Sequence, residues 1–151
     1  MEEKIKQLCD QVRETAYAIH EYHGTGHLEK VYENALVHRL KKAGLKVEQQ
    51  KPIKVYDEDG TEIGDYYADL IVEGVLIVEL KACKTFTEEH TAQIIGYLRS
   101  SNIEHGLLIN FGSYKFQIKK FILDRFKRST PQPILSLSLF LSFVFSALSR
   151  G

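Results

Sequence analysis

The sequence predicts an α+β fold with elements in the order ααββββαββ, and three observations carry that expectation. Apolar residues recur at helical spacing over two opening segments. The period falls to two after Gly44, with turn signals at Asp59-Gly60 and Glu73-Gly74. One further helical segment then separates this strand-rich region from two final strands.

From Ile5 to Tyr22 the positions Ile5, Leu8, Val12, Ala16 and Ile19 form an apolar stripe with charged residues between them, the pattern of an amphipathic helix. This helix should end at His23 and Gly24. The Gly24-Thr25-Gly26 segment breaks the pattern, and Thr25 or Gly26 can cap a second helix. Leu28, Val31, Tyr32, Ala35, Leu36, Val37 and Leu40 supply its apolar positions, and it stops near Gly44.

Leu45, Val47, Ile53 and Val55 then alternate with polar residues and lead into the turn Asp57-Glu58-Asp59-Gly60. Ile63 to Val72 and Val75 to Leu80 flank Glu73-Gly74 and should pair antiparallel as a central hairpin, while the pairing of the earlier strand-like stretch stays open. Acidic residues open the segment Thr87 to Ser101 and Arg99 lies near its end, as a helix dipole favours, with Ile94, Ile95 and Leu98 facing a core. Leu107 to Phe111 and, after Gly112-Ser113, Tyr114 to Phe121 read as two more strands.

A chain of 151 residues fits a single core, which places one domain at residues 1–128. A Pro/Ser/apolar tail follows at 129–151, where Pro131 and Pro133 introduce an uncharged run from Ile134 to Leu148. As a helix that run would span about 22 Å, against about 30 Å of hydrocarbon in a bilayer, so membrane contact by residues 134–148 is not favoured. A partner-binding tail, a helix packed on the domain and an extension without function are the alternatives.

Composition excludes classes more than it assigns one. An apolar fraction of 44% and a charged fraction of 26% exclude a disordered chain. Basic and acidic residues number 20 each, so no global cationic field exists and a nucleic-acid partner must be held by a local patch. Lys41, Lys42, Lys46, Lys51, Lys54, Lys115, Lys119, Lys120, Arg125, Lys127 and Arg128 are candidate phosphate contacts. Cys9 and Cys83 match no zinc-ligand spacing, and the charged opening residues contain no apolar signal segment, so the expected setting is a reducing cytoplasm.

Chemistry concentrates in the hairpin. Asp69, Glu79 and Lys81 interrupt strands whose flanks Leu70-Ile71-Val72 and Leu76-Ile77-Val78 should be covered on both faces, where unpaired charge is costly. Residues two apart on a strand share a face, which puts Glu79 beside Lys81, and Asp69 can join them across the hairpin. Two converging carboxylates repel unless a cation lies between them, and hard oxygen donors suit Mg²⁺ or Mn²⁺. The bland reading is a cross-strand ion-pair network on a solvated face.

Asp69, followed after nine residues by Glu79-Leu80-Lys81, resembles the D…(D/E)xK core of the PD-(D/E)XK nuclease superfamily. Upstream, Gly26-His27-Leu28-Glu29-Lys30-Val31-Tyr32 is similar to the signature of the GxxExxY protein family, a branch of that superfamily. Ala92-Gln93 through Tyr97-Leu98 is similar to its QxxxY helix, and the likeness runs over roughly residues 5 to 125. Ala68 stands where the superfamily's name has Pro.

The resemblance implies an α/β (α+β) restriction-endonuclease-like core of αβββαβ topology, with a mixed central sheet of about four to five strands flanked by helices. It implies Asp69 and Glu79 as metal ligands, the Leu80 carbonyl as a third, Lys81 as the catalytic lysine, and Glu29 and Gln93 completing the site around Mg²⁺ or Mn²⁺. The expected activity is phosphodiester hydrolysis of DNA, with RNA as the second candidate, and a homodimer stays open. The alternative is a non-catalytic module on the same fold that binds nucleic acid or protein.

Several residues carry a plainer reading beside this one. Glu29 can be an exposed helix residue near the positive end of the dipole. Gln93 and Tyr97 lie four apart on one helix face, which reaches either the site or the edge of the core. Tyr32 reads better as a core aromatic with a satisfied hydroxyl than as a catalytic group, and His20, His23 and His27 read as solvated histidines.

Overall fold

In the computed structural model, residues 1–124 are described. The expected tail at 129–151, its apolar run 134–148, the boundary at 128, and Arg125, Lys127 and Arg128 lie outside the described residues. Among the described residues no helix is long and apolar enough to cross a membrane.

The opening apolar stripe becomes helix α1 (Glu2–His23), which buries Ile5, Leu8, Val12, Ala16 and Ile19. Helix α2 (Glu29–Lys42) buries Tyr32, Leu36, Val37 and Leu40. Its N-cap is Leu28, with no side-chain cap, so neither Thr25 nor Gly26 caps it as the sequence suggests. The connection is held from within the helix instead. The Tyr32 hydroxyl donates to the Gly24 carbonyl at 2.6 Å and accepts from the His27 N–H at 3.2 Å. Gly24 (φ 66°) and Gly26 (φ 106°) supply the left-handed backbone this link needs.

Strands β1 (Val47–Tyr56), β2 (Glu62–Val72) and β3 (Leu76–Lys81) follow, then helix α3 (Glu88–Ser100) and strands β4 (His105–Asn110) and β5 (Gln117–Ile122). The order is therefore ααβββαββ, one strand fewer before α3 than the sequence suggests. The polar stretch Gln49-Gln50-Lys51-Pro52 looks like a break, yet β1 continues through it because β1 is an edge strand. An edge tolerates exposed polar residues and a proline without a donor. The last strand starts at Gln117, later than Tyr114, because Ser113 donates to the Lys115 carbonyl at 2.6 Å and closes a wider turn.

The five strands lie in the order β1-β2-β3-β4-β5, all antiparallel except the β3–β4 pair, which α3 connects as a parallel crossover. Leu70, Val72, Leu76, Val78, Leu80, Leu107 and Ile109 meet α1 and α2 on one face. Ile71, Ile77 and Leu108 meet Ile94 and Leu98 of α3 on the other. Burying each such aliphatic side chain stabilises the fold by about 1.5–3 kcal/mol. The covered hairpin thus fixes β3 at the centre of three layers, with its last residues at the sheet's open end.

The β2–β3 turn is Glu73–Val75, where Glu73 (φ 52°) and Gly74 (φ 67°) are both left-handed and the Val75 N–H closes on the Val72 carbonyl at 3.1 Å. Helix α3 starts from a reciprocal cap. Thr87 Oγ1 accepts from the His90 N–H at 3.3 Å, and His90 Nδ1 accepts from the Thr87 N–H at 3.1 Å. Cys9 and Cys83 are free thiols.

Candidate active site

The β2–β3 ladder pairs Val72 with Leu76, Ile71 with Ile77 and Leu70 with Val78, and continuing that register sets Asp69 opposite Glu79. Here the ladder ends, and the two side chains take over the freed main-chain donors. The Asp69 N–H donates to Glu79 Oε1 at 2.8 Å, and the Leu80 N–H donates to Asp69 Oδ2 at 2.9 Å. The two carboxylates therefore converge where the strands part.

Glu79 is only 2% exposed. Burial, and then the neighbouring Asp69 charge, push its carboxyl up to about 9, against the opposing pull of the Asp69 N–H and the Lys81 ammonium. Lys81 forms no ion pair with these acids among the described residues. Its Nζ donates to Gln93 Oε1 at 2.8 Å instead, and Gln93 Nε2 donates to the Tyr97 hydroxyl at 2.8 Å. Burial and the Glu79 charge push the Tyr97 phenol up to about 12, so it stays protonated and its ring tilts against Tyr66 at 5.3 Å between centroids.

Glu29 occupies the first position of α2, at the open end of β3. Its carboxyl is raised by burial and by the Asp69 charge, and this rise is opposed by Lys81 and the Ala82 main chain, which places Glu29 within the field of the hairpin acids. Tyr32 lies in the core. Its ring stacks on Phe111 with centroids 4.7 Å apart and planes 8° apart, and its hydroxyl serves the α1–α2 link. The three opening histidines diverge: His20 is buried with Nε2 2.8 Å from the Ser113 carbonyl, whereas the rings of His23 and His27 meet edge to face with centroids 5.7 Å apart.

Two further groups emerge that the expected site did not include. Glu33, one turn after Glu29 and 3% exposed, accepts from Lys30 Nζ at 3.0 Å, Gln49 Nε2 at 3.1 Å and Gln50 Nε2 at 2.8 Å. Gln50 Nε2 also donates to Asp69 Oδ1 at 3.0 Å. Two glutamines in an exposed strand carry no sequence signal for this. Asn110, fully buried at the end of β4, braces the chain just past Lys81. Its Oδ1 accepts from the N–H groups of Cys83 (3.0 Å) and Gly112 (2.9 Å), and its Nδ2 donates to the Cys83 carbonyl (2.8 Å) and Gln117 Oε1 (3.1 Å). A polar residue ending the apolar run Leu107-Leu108-Ile109 is the faint signal that could have singled it out.

Among the described residues no group of three or more His, Cys, Asp and Glu side chains is disposed to hold a metal ion. The chemistry of the donors nevertheless suits a hard divalent cation, since two carboxyl groups face one region and the raised Glu79 holds there a proton that such a cation can displace. Of the lysines read as phosphate contacts, Lys51 and Lys54 pair with Glu48 (2.5 Å) and Glu62 (2.6 Å), exposed contacts of the weak kind that another anion can replace.

A mixed sheet between helices carries an acid pair and a lysine where its central hairpin opens. A family model described as the PD-(D/E)XK nuclease superfamily matches residues 6–121, and the chain belongs to that superfamily. Its members usually use divalent metals and act on nucleic acid. A solved structure described as "Crystal structure of SSO0001" is similar to this chain with a TM-score of 0.53 at 18% identity. The match covers 65% of this chain and 52% of that one, so the chain spans about half of its neighbour, and the likeness concerns the fold alone. No curated protein matches.

Proposed function

We propose that this chain is a Mg²⁺- or Mn²⁺-dependent phosphodiesterase that hydrolyses DNA, with RNA as the second substrate to test. The observation that carries this reading is the pair of hydrogen bonds from the Asp69 N–H to Glu79 Oε1 and from the Leu80 N–H to Asp69 Oδ2, which turn two carboxyl groups toward one region beside Lys81. Asp69 and Glu79 would hold the ion, with the Leu80 carbonyl and Glu29 as further oxygen donors. A bound divalent ion supplies charge for a phosphoryl oxygen and lowers the pKa of water.

The chain's own residues do the rest. The Asp69 carboxylate is oriented by Leu80 N–H, and the Glu79 carboxylate by Asp69 N–H, so neither must reorganise to receive a cation. The Lys81 ammonium, held by Gln93 Oε1, supplies a fixed positive charge for the attacking oxygen or the pentavalent phosphoryl group. Tyr97 donates no charge and locks Gln93 in the orientation that presents its oxygen to Lys81.

The test is cleavage of single- and double-stranded DNA and RNA with Mg²⁺, Mn²⁺ or EDTA, alongside Asp69→Asn and Lys81→Ala. Metal-dependent cleavage lost in both variants is expected. Cleavage that survives both would refute the assignment, and binding of nucleic acid without cleavage by the unaltered chain would favour a binding module on this fold.

A further inference from the structure

We propose that Gln50, seated on Glu33, is a positioning residue that fixes the Asp69 carboxylate for metal binding, an inference that rests on reading the site as a metal-dependent phosphodiesterase.

Gln50 sits in the middle of β1 with φ 53°, the left-handed region that a side-chain-bearing residue seldom adopts. The β1–β2 register is unbroken on either side of it, with Gln49 paired to Leu70 and Lys51 to Ala68, so the unusual backbone is confined to the one residue that faces Asp69. Such strain persists only where surrounding contacts hold it. Here the contacts are made by the side chain: Nε2 lies 2.8 Å from Glu33 Oε1 and 3.0 Å from Asp69 Oδ1.

One amide nitrogen with two hydrogens thus bridges two carboxylates on different elements. Without it, Glu33 Oε1 and Asp69 Oδ1 would face the same space as like charges with no donor between them. With it, Asp69 is gripped at both oxygens, Oδ1 by Gln50 and Oδ2 by the Leu80 N–H. Each carboxylate oxygen retains a second lone pair, so the grip fixes orientation without using up the capacity to bind a cation. Glu33 acts as the anchor, since it is 3% exposed and also accepts from Lys30 and Gln49, which keeps it from swinging away.

The backbone strain allows a clean experiment. Glycine adopts positive φ without penalty, so Gln50→Gly relieves the strain while removing the amide. Mn²⁺ binding to the full chain is measured by calorimetry for the unaltered protein, Gln50→Gly, Gln50→Ala and Glu33→Gln, with thermal unfolding in EDTA alongside and steady-state cleavage kinetics. The expected result is that Gln50→Gly, relieved of the backbone strain, unfolds at a higher temperature than Gln50→Ala yet binds Mn²⁺ roughly 10–100-fold more weakly than the unaltered chain. Its kcat should fall while the KM for oligonucleotide stays unchanged. Undiminished Mn²⁺ affinity in Gln50→Gly, in a protein whose unaltered form binds the ion, would overturn the role of Gln50 alone. Absence of Mn²⁺ binding in the unaltered chain would overturn the metal site and this inference together.

Discussion

The Asp69 N–H donates to Glu79 Oε1 at 2.8 Å across the point where β2 and β3 cease to pair, and the N–H of Leu80, the residue after Glu79, donates back to Asp69 Oδ2 at 2.9 Å. That reciprocity keeps a buried carboxyl beside a second one, and it sets the chain's response to pH. Without a divalent ion the Glu79 carboxyl is raised from 4.5 to about 9, by burial and then by Asp69. The folded chain holds a proton there that the unfolded chain has released, so metal-free stability should fall as pH rises between about 4.5 and about 9. Urea unfolding in EDTA at pH 6 and pH 8.5 should show this decline, and Glu79→Gln should flatten it. An equal decline in Glu79→Gln would place the cause elsewhere. A divalent ion that replaces the proton should stabilise the protein more at the higher pH.

Asn110 is fully buried and its side chain serves two N–H groups, one carbonyl and Gln117. Asn110→Ala leaves the Cys83 N–H and carbonyl without those partners just past Lys81, and should destabilise the fold by about 3 kcal/mol. Urea unfolding checks the loss. A change below about 0.5 kcal/mol would mean that water replaces the side chain.

Much of the hairpin was legible because its constraints are local. The period-two spacing of Glu79 and Lys81 follows from strand geometry alone, and Glu73-Gly74 marked the hairpin, although the turn also takes in Val75 and only so sets Asp69 opposite Glu79. The count of strands was not, because an edge strand has no need of the alternation that announces buried ones. Gln50 was illegible for a different reason. Its contacts depend on one backbone angle that nothing about glutamine advertises, and on a register between β1 and β2 that their sequences leave open.

Gly112 packs so closely on the segment after β3 that a Cβ would lie 2.3 Å from the Cys83 nitrogen and 2.4 Å from the Ala82 carbonyl carbon. Backbone atoms cannot yield as side chains do, so Gly112→Ala should displace Ala82 and Cys83 and destabilise the chain by about 1–3 kcal/mol. A lowered unfolding temperature together with lowered cleavage is the expected pair of results. Unfolding unchanged by the added methyl would contradict the close approach.

Thr87 and His90 cap α3 reciprocally, and the His90 ring accepts through Nδ1, which requires its neutral form. Burial, and then the Lys81 charge, hold the His90 pKa below its usual value of 6.5. The cap therefore contributes stability above that pH, and the contribution is lost as pH falls through the lowered pKa. Thr87→Ala should cost about 1 kcal/mol at pH 8. In His90→Ala the part of the acid-side decline due to this ring should vanish, and an unaltered profile would refute the link.

Among the described residues Tyr97 is linked to Lys81 by hydrogen bonds through Gln93, since the phenol accepts from Gln93 Nε2 and Gln93 Oε1 accepts from Lys81 Nζ. A chain of this kind makes its members' effects non-additive. Gln93→Leu removes the acceptor that holds the ammonium and should lower kcat by about 10–100-fold, on the scale of an ångström's misplacement of a reacting group. Tyr97→Phe leaves Gln93 in place with one bond fewer and should lower kcat by less. Once Gln93 is leucine the phenol has nothing left to hold, so the double variant should be no slower than Gln93→Leu alone. Rates that instead multiply would show that Tyr97 acts on the site by a route of its own, through its contact with Tyr66 or its closeness to Glu79.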